Sequence, residues 1–129
     1  MLICAWRGEE PYRSAARELL EDEDRHLIAS PFLDLELLPK AKNKGSASEV
    51  EFLEEVFASI TEWVSVDDAL VERAIDLGIA YLIRNIDTIH AASAERVGCK
   101  QFVTSELPGK SYFKFTAINA TNVLQAVTP

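Results

Sequence analysis

Three acids far apart in the chain, Glu36, Asp87 and Glu106, stand where an α/β fold gathers ligand groups. Asp87 opens the small-residue-rich segment IDTIHAASAERVGC, with His90 one turn later and Gly98 where a glycine ends a helix. The run Gln101–Thr104 reads as a short strand, and Glu106 lies just past it. A helix start and a strand's C-terminal end share one rim of a parallel sheet, where ligands bind. Carboxylates meeting there without a basic partner suit a hard cation. His90, three residues after Asp87, shares its helix face. Glu36 follows the candidate strand His26–Ala29 on a helix that also carries Asp34. Two residues apart is about 200° around a helix, so only one of those acids can face a site.

The elements that must position these residues follow from spacing and caps. Pro11 opens a helix that frays at the acidic run Glu21–Asp24. Ser30 and Pro31 read as N-cap and first helical residue, and Pro39 as interrupting or ending that helix. Ser48 and Glu51 form a capping box ahead of Val50, Leu53, Val56, Phe57 and Ile60 at helical spacing. A second strand is expected over Trp63–Val66. Asp67 and Asp68 then start a helix to about Tyr81, interrupted near Gly78. SYFKFTAI is compatible with a final edge strand, and NATNVLQAVTP with a loosely attached tail. Helices alternating with strands predict a mostly parallel sheet covered on both faces, a three-layer α/β/α sandwich, in one domain over residues 1–129.

Composition bounds the function. The net charge of −8 argues against a protein that coats phosphates through its own basic surface. It leaves room for a metal-dependent nuclease, in which clustered carboxylates hold a cation and the cation meets the phosphate. Acids crowd the first half, while residues 100–129 lean basic; Lys40, Lys110 and Lys114 are candidate phosphate contacts. Cys4 and Cys99 form no metal or disulfide pattern and fit a reducing, cytoplasmic setting. No run reaches the roughly 18 apolar residues of a membrane span, and MLICAWRGEE lacks the basic start and length of a signal peptide.

Together, SPFLDLELLPKA, NIDTIHAASAERVGC and FVTSE resemble the PIN-domain family, particularly its VapC-type toxin ribonucleases. The matching positions are Glu36 on the helix after the second strand of the family's fold; Asp87, His90, Ala92 and Ala94 on one helix; and Thr104 with Glu106. The resemblance spans roughly residues 2–113. It implies a sheet of order 3-2-1-4-5 and a Mg²⁺- or Mn²⁺-dependent endonuclease on single-stranded RNA. Glu36, Asp87 and Glu106 would hold metal and His90 would support them. Thr104, Lys40 and Lys110 would lie toward substrate. It further implies a homodimer restrained by an antitoxin protein. The family pattern opens with a strand ending in an Asp, ahead of an apolar pair like Leu2-Ile3. This sequence begins at Met1, so the expectation is a sheet lacking its central strand and a site lacking one carboxylate. Two accounts follow: a start recorded at an internal Met, or a shortened relative that binds RNA or protein without cleaving.

Overall fold

A computed structural model describes residues 9–104 and 111–126. The order is α1 (Tyr12–Glu21), β1 (Ile28–Ala29), α2 (Phe32–Asn43), α3 (Ala47–Ser59), β2 (Glu62–Trp63), α4 (Asp68–Tyr81), α5 (Ile86–Val97) and β3 (Phe102–Thr104). Then come α6 (Ser111–Lys114), a 3-10 turn (Thr116–Ile118), β4 (Ala120–Asn122) and α7 (Val123–Ala126).

The strands pair in parallel, as the alternation requires, because a helix lies between partners. β1 pairs with β2, Ile28 opposite Glu62 and Ala29 opposite Trp63. β3 pairs with β4, Phe102 opposite Ala120 and Thr104 opposite Asn122. These are the second-with-third and fourth-with-fifth neighbours of the expected order. Among the described residues no strand joins the two pairs. Helices cover both faces. Side chains alternate along a strand, and in β3 Phe102 packs toward α4 and α5 while Val103 packs toward α1 and α7.

The largest apolar cluster joins α4 and α5 through Leu70, Ala74, Leu77, Ile89 and Ala92, with Ile118 beneath them. α5 is small along its buried side (Ala91, Ala92, Ser93, Ala94), which lets its backbone sit close to its neighbours. Gly98 ends it in the left-handed region at φ 63°, a conformation that a Cβ disfavours. Two ion pairs brace the same contact. Arg73 grips Glu95 with both ends, Nε to Oε1 at 2.7 Å and Nη2 to Oε2 at 2.8 Å. Arg96 reaches Asp67 at 2.8 Å and the Ser65 carbonyl at 3.1 Å. The Arg96 guanidinium, followed by the Leu70 N–H, holds the Asp67 carboxyl below its usual range.

Several sequence expectations change in three dimensions. α2 runs through Pro39 to Asn43. The proline deprives the Leu35 carbonyl of its donor, and Leu35 is exposed, so water can serve instead. Ser30 does not cap α2; its hydroxyl is buried without a partner. The cap of α3 is Ser46, accepting from the Glu49 N–H, two residues earlier than the Ser48 box. α4 continues through Gly78, where an added Cβ would lie 3.2 Å from the Ile83 carbonyl. The expected edge strand SYFKFTAI forms α6 and the 3-10 turn. The supposed loose tail supplies β4 and α7, whose Val123 and Ala126 bury against Ala15, Ala16 and Leu19.

Asp34, the acid turned away from Glu36, has a buried Oδ1 with no hydrogen-bond partner. Burial raises its carboxyl above the ordinary value. The folded chain therefore holds this proton more tightly than the unfolded chain. Stability falls as pH rises from the unfolded Asp value through the raised one. Asp34→Asn should be more stable than the parent at pH 7 and lose that advantage below about pH 4. Urea midpoints at the two pH values check this; an unchanged gap would contradict it.

Candidate functional site

α5 sets Asp87, His90, Ser93 and Val97 at intervals of three and four, which places them along one helical face. That face forms one wall of a cleft of about 790 Å³. α2 contributes Glu36 from another side. The ends of β1 and β3 contribute Ser30 and Thr104. Glu36, Asp87 and Thr104 thus line one cleft.

Of the two acids on α2, Glu36 lines the cleft and Asp34 does not. Glu36 Oε2 lies 2.9 Å from His90 Nε2. His90 is well covered and Glu36 about a third exposed, with side-chain exposures of 18% and 37%. With its hydrogen on Nε2, His90 donates to Oε2 and restrains the Glu36 side chain, and Oε1 takes no part in that bond. Asp87, one turn earlier on the same helix, is half-buried and lines the same cleft. Its side chain accepts no hydrogen bond from a described residue, so its oxygens keep their lone pairs. α5 starts at Ile86, with Asn85 at the N-cap position, so Asp87 is not spent on capping.

Thr104 is buried at the end of β3 on the cleft wall. Lys40 is exposed one turn after Glu36 and is not part of the wall. Glu106 and Lys110 lie outside the described residues. Among the described residues no three His, Cys, Asp or Glu side chains come together as a metal-binding group. Glu36 and Asp87 are two of the three described carboxylates on this cleft, the third being Asp24. That chemistry fits Mg²⁺ or Mn²⁺, which take carboxylates and water, and it leaves room for a further acid.

Sequence reasoning missed four polar residues here. Ser30 and Ser93 are 1% and 5% exposed, line the cleft and have hydroxyls with no partner. Ser93 was within reach of the pattern, three residues after His90. Arg25 also lines the cleft, donating from Nη1 to Gln101 Oε1 at 3.0 Å and from Nη2 to the Ala126 carbonyl at 2.9 Å. No local pattern marks that contact, which spans most of the chain. Lys100 adds a second cation to the lining. Cys99 also borders the cleft, but burial pushes its thiol up, away from the reactive thiolate.

A family model for the PIN domain matches residues 2–106. No curated protein and no solved structure matches the chain.

Proposed function

The chain belongs to the PIN-domain family, and from that premise we propose that it is a divalent-metal-dependent endoribonuclease on single-stranded RNA, the toxin of a toxin–antitoxin pair. Membership implies nuclease-type activity that depends on a divalent metal. The observation that best supports the finer reading is the shared cleft of Glu36 and Asp87, with Glu36 held by His90.

Glu36 Oε1 and the Asp87 carboxylate would hold the cation, with Glu106 as the expected third acid. A bound Mg²⁺ or Mn²⁺ supplies Lewis acidity toward a phosphate oxygen and a water made nucleophilic. The chain's own residues do the rest. His90 keeps Glu36 from swinging into solvent. Ser30, Ser93 and Thr104 offer hydroxyls along the wall. Lys40, one turn from Glu36, is suited to meeting RNA phosphates outside the cleft, and Lys110 is the other lysine expected to contact them.

Calorimetric titration with Mn²⁺ and cleavage of a fluorescent single-stranded RNA test the reading together. The expected result is micromolar binding and cleavage that stops in EDTA. Absence of binding up to millimolar Mn²⁺ would favour the second reading, a PIN module that binds RNA or protein without cutting. That reading has its own support, since among the described residues no three His, Cys, Asp or Glu side chains come together as a metal-binding group. His90→Ala should weaken Mn²⁺ affinity about tenfold to hundredfold, the usual effect of removing a group that orients a ligand. An unaltered affinity would reduce His90 to packing.

Partners follow from the surface. Val71, Ile75, Ile79 and Leu82 form an exposed apolar stripe along α4 and just beyond it, with Ile79 75% exposed. Such a stripe supports a homodimer, and the toxin reading adds an antitoxin protein. Among the described residues no helix is long and apolar enough to cross a membrane, and a cytoplasmic site of action accords with RNA as substrate.

A further inference from the structure

Leu82 and Asn85, in the short link from α4 to α5, take positive φ without being glycine, at 57° and 51°. Leu82 falls in the left-handed helical region, with ψ 28°. Asn85 does not. With ψ −131° it takes the mirror image of ordinary extended backbone, which glycine enters readily and a residue with a Cβ does not. Where the chain only has to leave a helix, glycine supplies the positive φ, at Gly45 and Gly98.

The Asn85 backbone has a definite use. A positive φ of this kind at the first central residue makes a type II′ turn. The Asp87 N–H closes that turn on the Arg84 carbonyl at 3.0 Å. The Asn85 carbonyl then accepts from the Thr88 N–H at 3.1 Å and from the Thr88 hydroxyl at 2.6 Å. The Asn85 side chain does not cap α5, so its contribution is the shape of its backbone.

Both flanks of the turn are anchored. Ile83 before it and Ile89 after it are buried in the cluster that joins α4 and α5. Gly78 lets the link sit directly on α4, since a Cβ there would meet the Ile83 carbonyl at 3.2 Å and Thr88 Cγ2 at 3.3 Å. Unfavourable backbone persists only where its surroundings over-determine it, and these contacts do so. They also confine the result of losing it. With Ile83 and Ile89 held, a different Asn85 conformation has to be absorbed between them, where Asp87 stands.

We propose that Asn85 is a positioning residue for Asp87: its backbone makes the turn that starts α5 at Ile86, and the turn delivers the Asp87 carboxylate to the cleft. The inference rests on Asp87 being a metal ligand, as read above.

Mn²⁺ titration of the full chain, beside urea unfolding, compares the parent with Asn85→Gly and Asn85→Ala. Glycine is at ease in this backbone, so Asn85→Gly should raise the urea midpoint and bind Mn²⁺ as the parent does. Alanine resists positive φ and abandons the turn. It should weaken Mn²⁺ affinity by at least about tenfold, the lower figure for removing a group that orients a ligand, with an unchanged far-ultraviolet circular dichroism spectrum. In the metal-free chain, hydrogen exchange at the Asp87 amide should quicken in Asn85→Ala and not in Asn85→Gly. If Asn85→Ala does not fold, Asn85→Ser takes its place with the same expectations. Parent-like affinity in the alanine variant overturns the proposal and leaves the nuclease reading standing. So does equal weakening in both variants, which would assign the effect to the lost amide side chain. A parent chain that binds no Mn²⁺ overturns both.

Discussion

Asp87→Asn should weaken Mn²⁺ affinity by more than the roughly ten- to hundredfold expected for His90→Ala, and lower Mn²⁺-dependent RNA cleavage with it, because it removes an anionic ligand outright. Asparagine keeps the shape and one oxygen, so steric loss is not the cause. The charge itself is what matters. A divalent ion partly dehydrates to bind, and each carboxylate offsets that cost. The folded state should survive nearly intact. Asp87 lies in the first turn of α5, where a negative charge stabilises a helix by about 0.3–1 kcal/mol. A small drop in melting temperature is therefore expected, with an unchanged far-ultraviolet circular dichroism spectrum. Cleavage equal to the parent's would leave Asp87 as a helix-start acid and nothing more. A variant that also unfolds would be separated from a catalytic one by the spectrum, and Asp87→Glu would then supply a charged control.

Leu77→Ala should destabilise the chain by about 2–5 kcal/mol, the range for emptying a packed leucine site. Leu77 is fully buried in the contact between α4 and α5. Total stability of a domain this size is about 5–15 kcal/mol, so the loss is a large share of it. The ion pairs bracing the same helices set a useful comparison. Arg73–Glu95 is partly exposed, and a pair of that kind is worth roughly 0.2–1 kcal/mol. Urea unfolding of Leu77→Ala beside Glu95→Gln should therefore show the leucine change dominating several-fold. The reverse ranking would mean that charge, and not apolar burial, holds α5 and its Asp87 in place. Added salt discriminates further: it should weaken the Glu95 contribution and leave the Leu77 contribution unchanged.

Local geometry was legible before any coordinates. Asp67 caps α4 by accepting from the Leu70 N–H at 2.8 Å, and Gly98 stops α5; both are written in residue type and position. Asp87 and His90 share a wall because three residues make nearly one helical turn. Parallel pairing followed from helices lying between strands. The expected partner orders held as well, second with third and fourth with fifth.

What the sequence could not decide was what meets across a gap. Asp34 and Glu36 are equivalent until α5 brings His90 to one of them. The end of α2 looked fixed by Pro39, yet exposure of Leu35 removed the reason to stop there. The last residues looked loose because a three-residue strand and a four-residue helix carry almost no periodicity, and only Ala15, Ala16 and Leu19 give them something to bury against. The burial of the Ser30 and Ser93 hydroxyls beside the cleft belongs to the same class. Periodicity and caps are properties of neighbours along the chain, so residue order alone determined the helices, the strands and the face that carries Asp87. Burial, edge pairing and the turning of Glu36 into the cleft depend on groups tens of residues away, and those the tertiary structure alone decided.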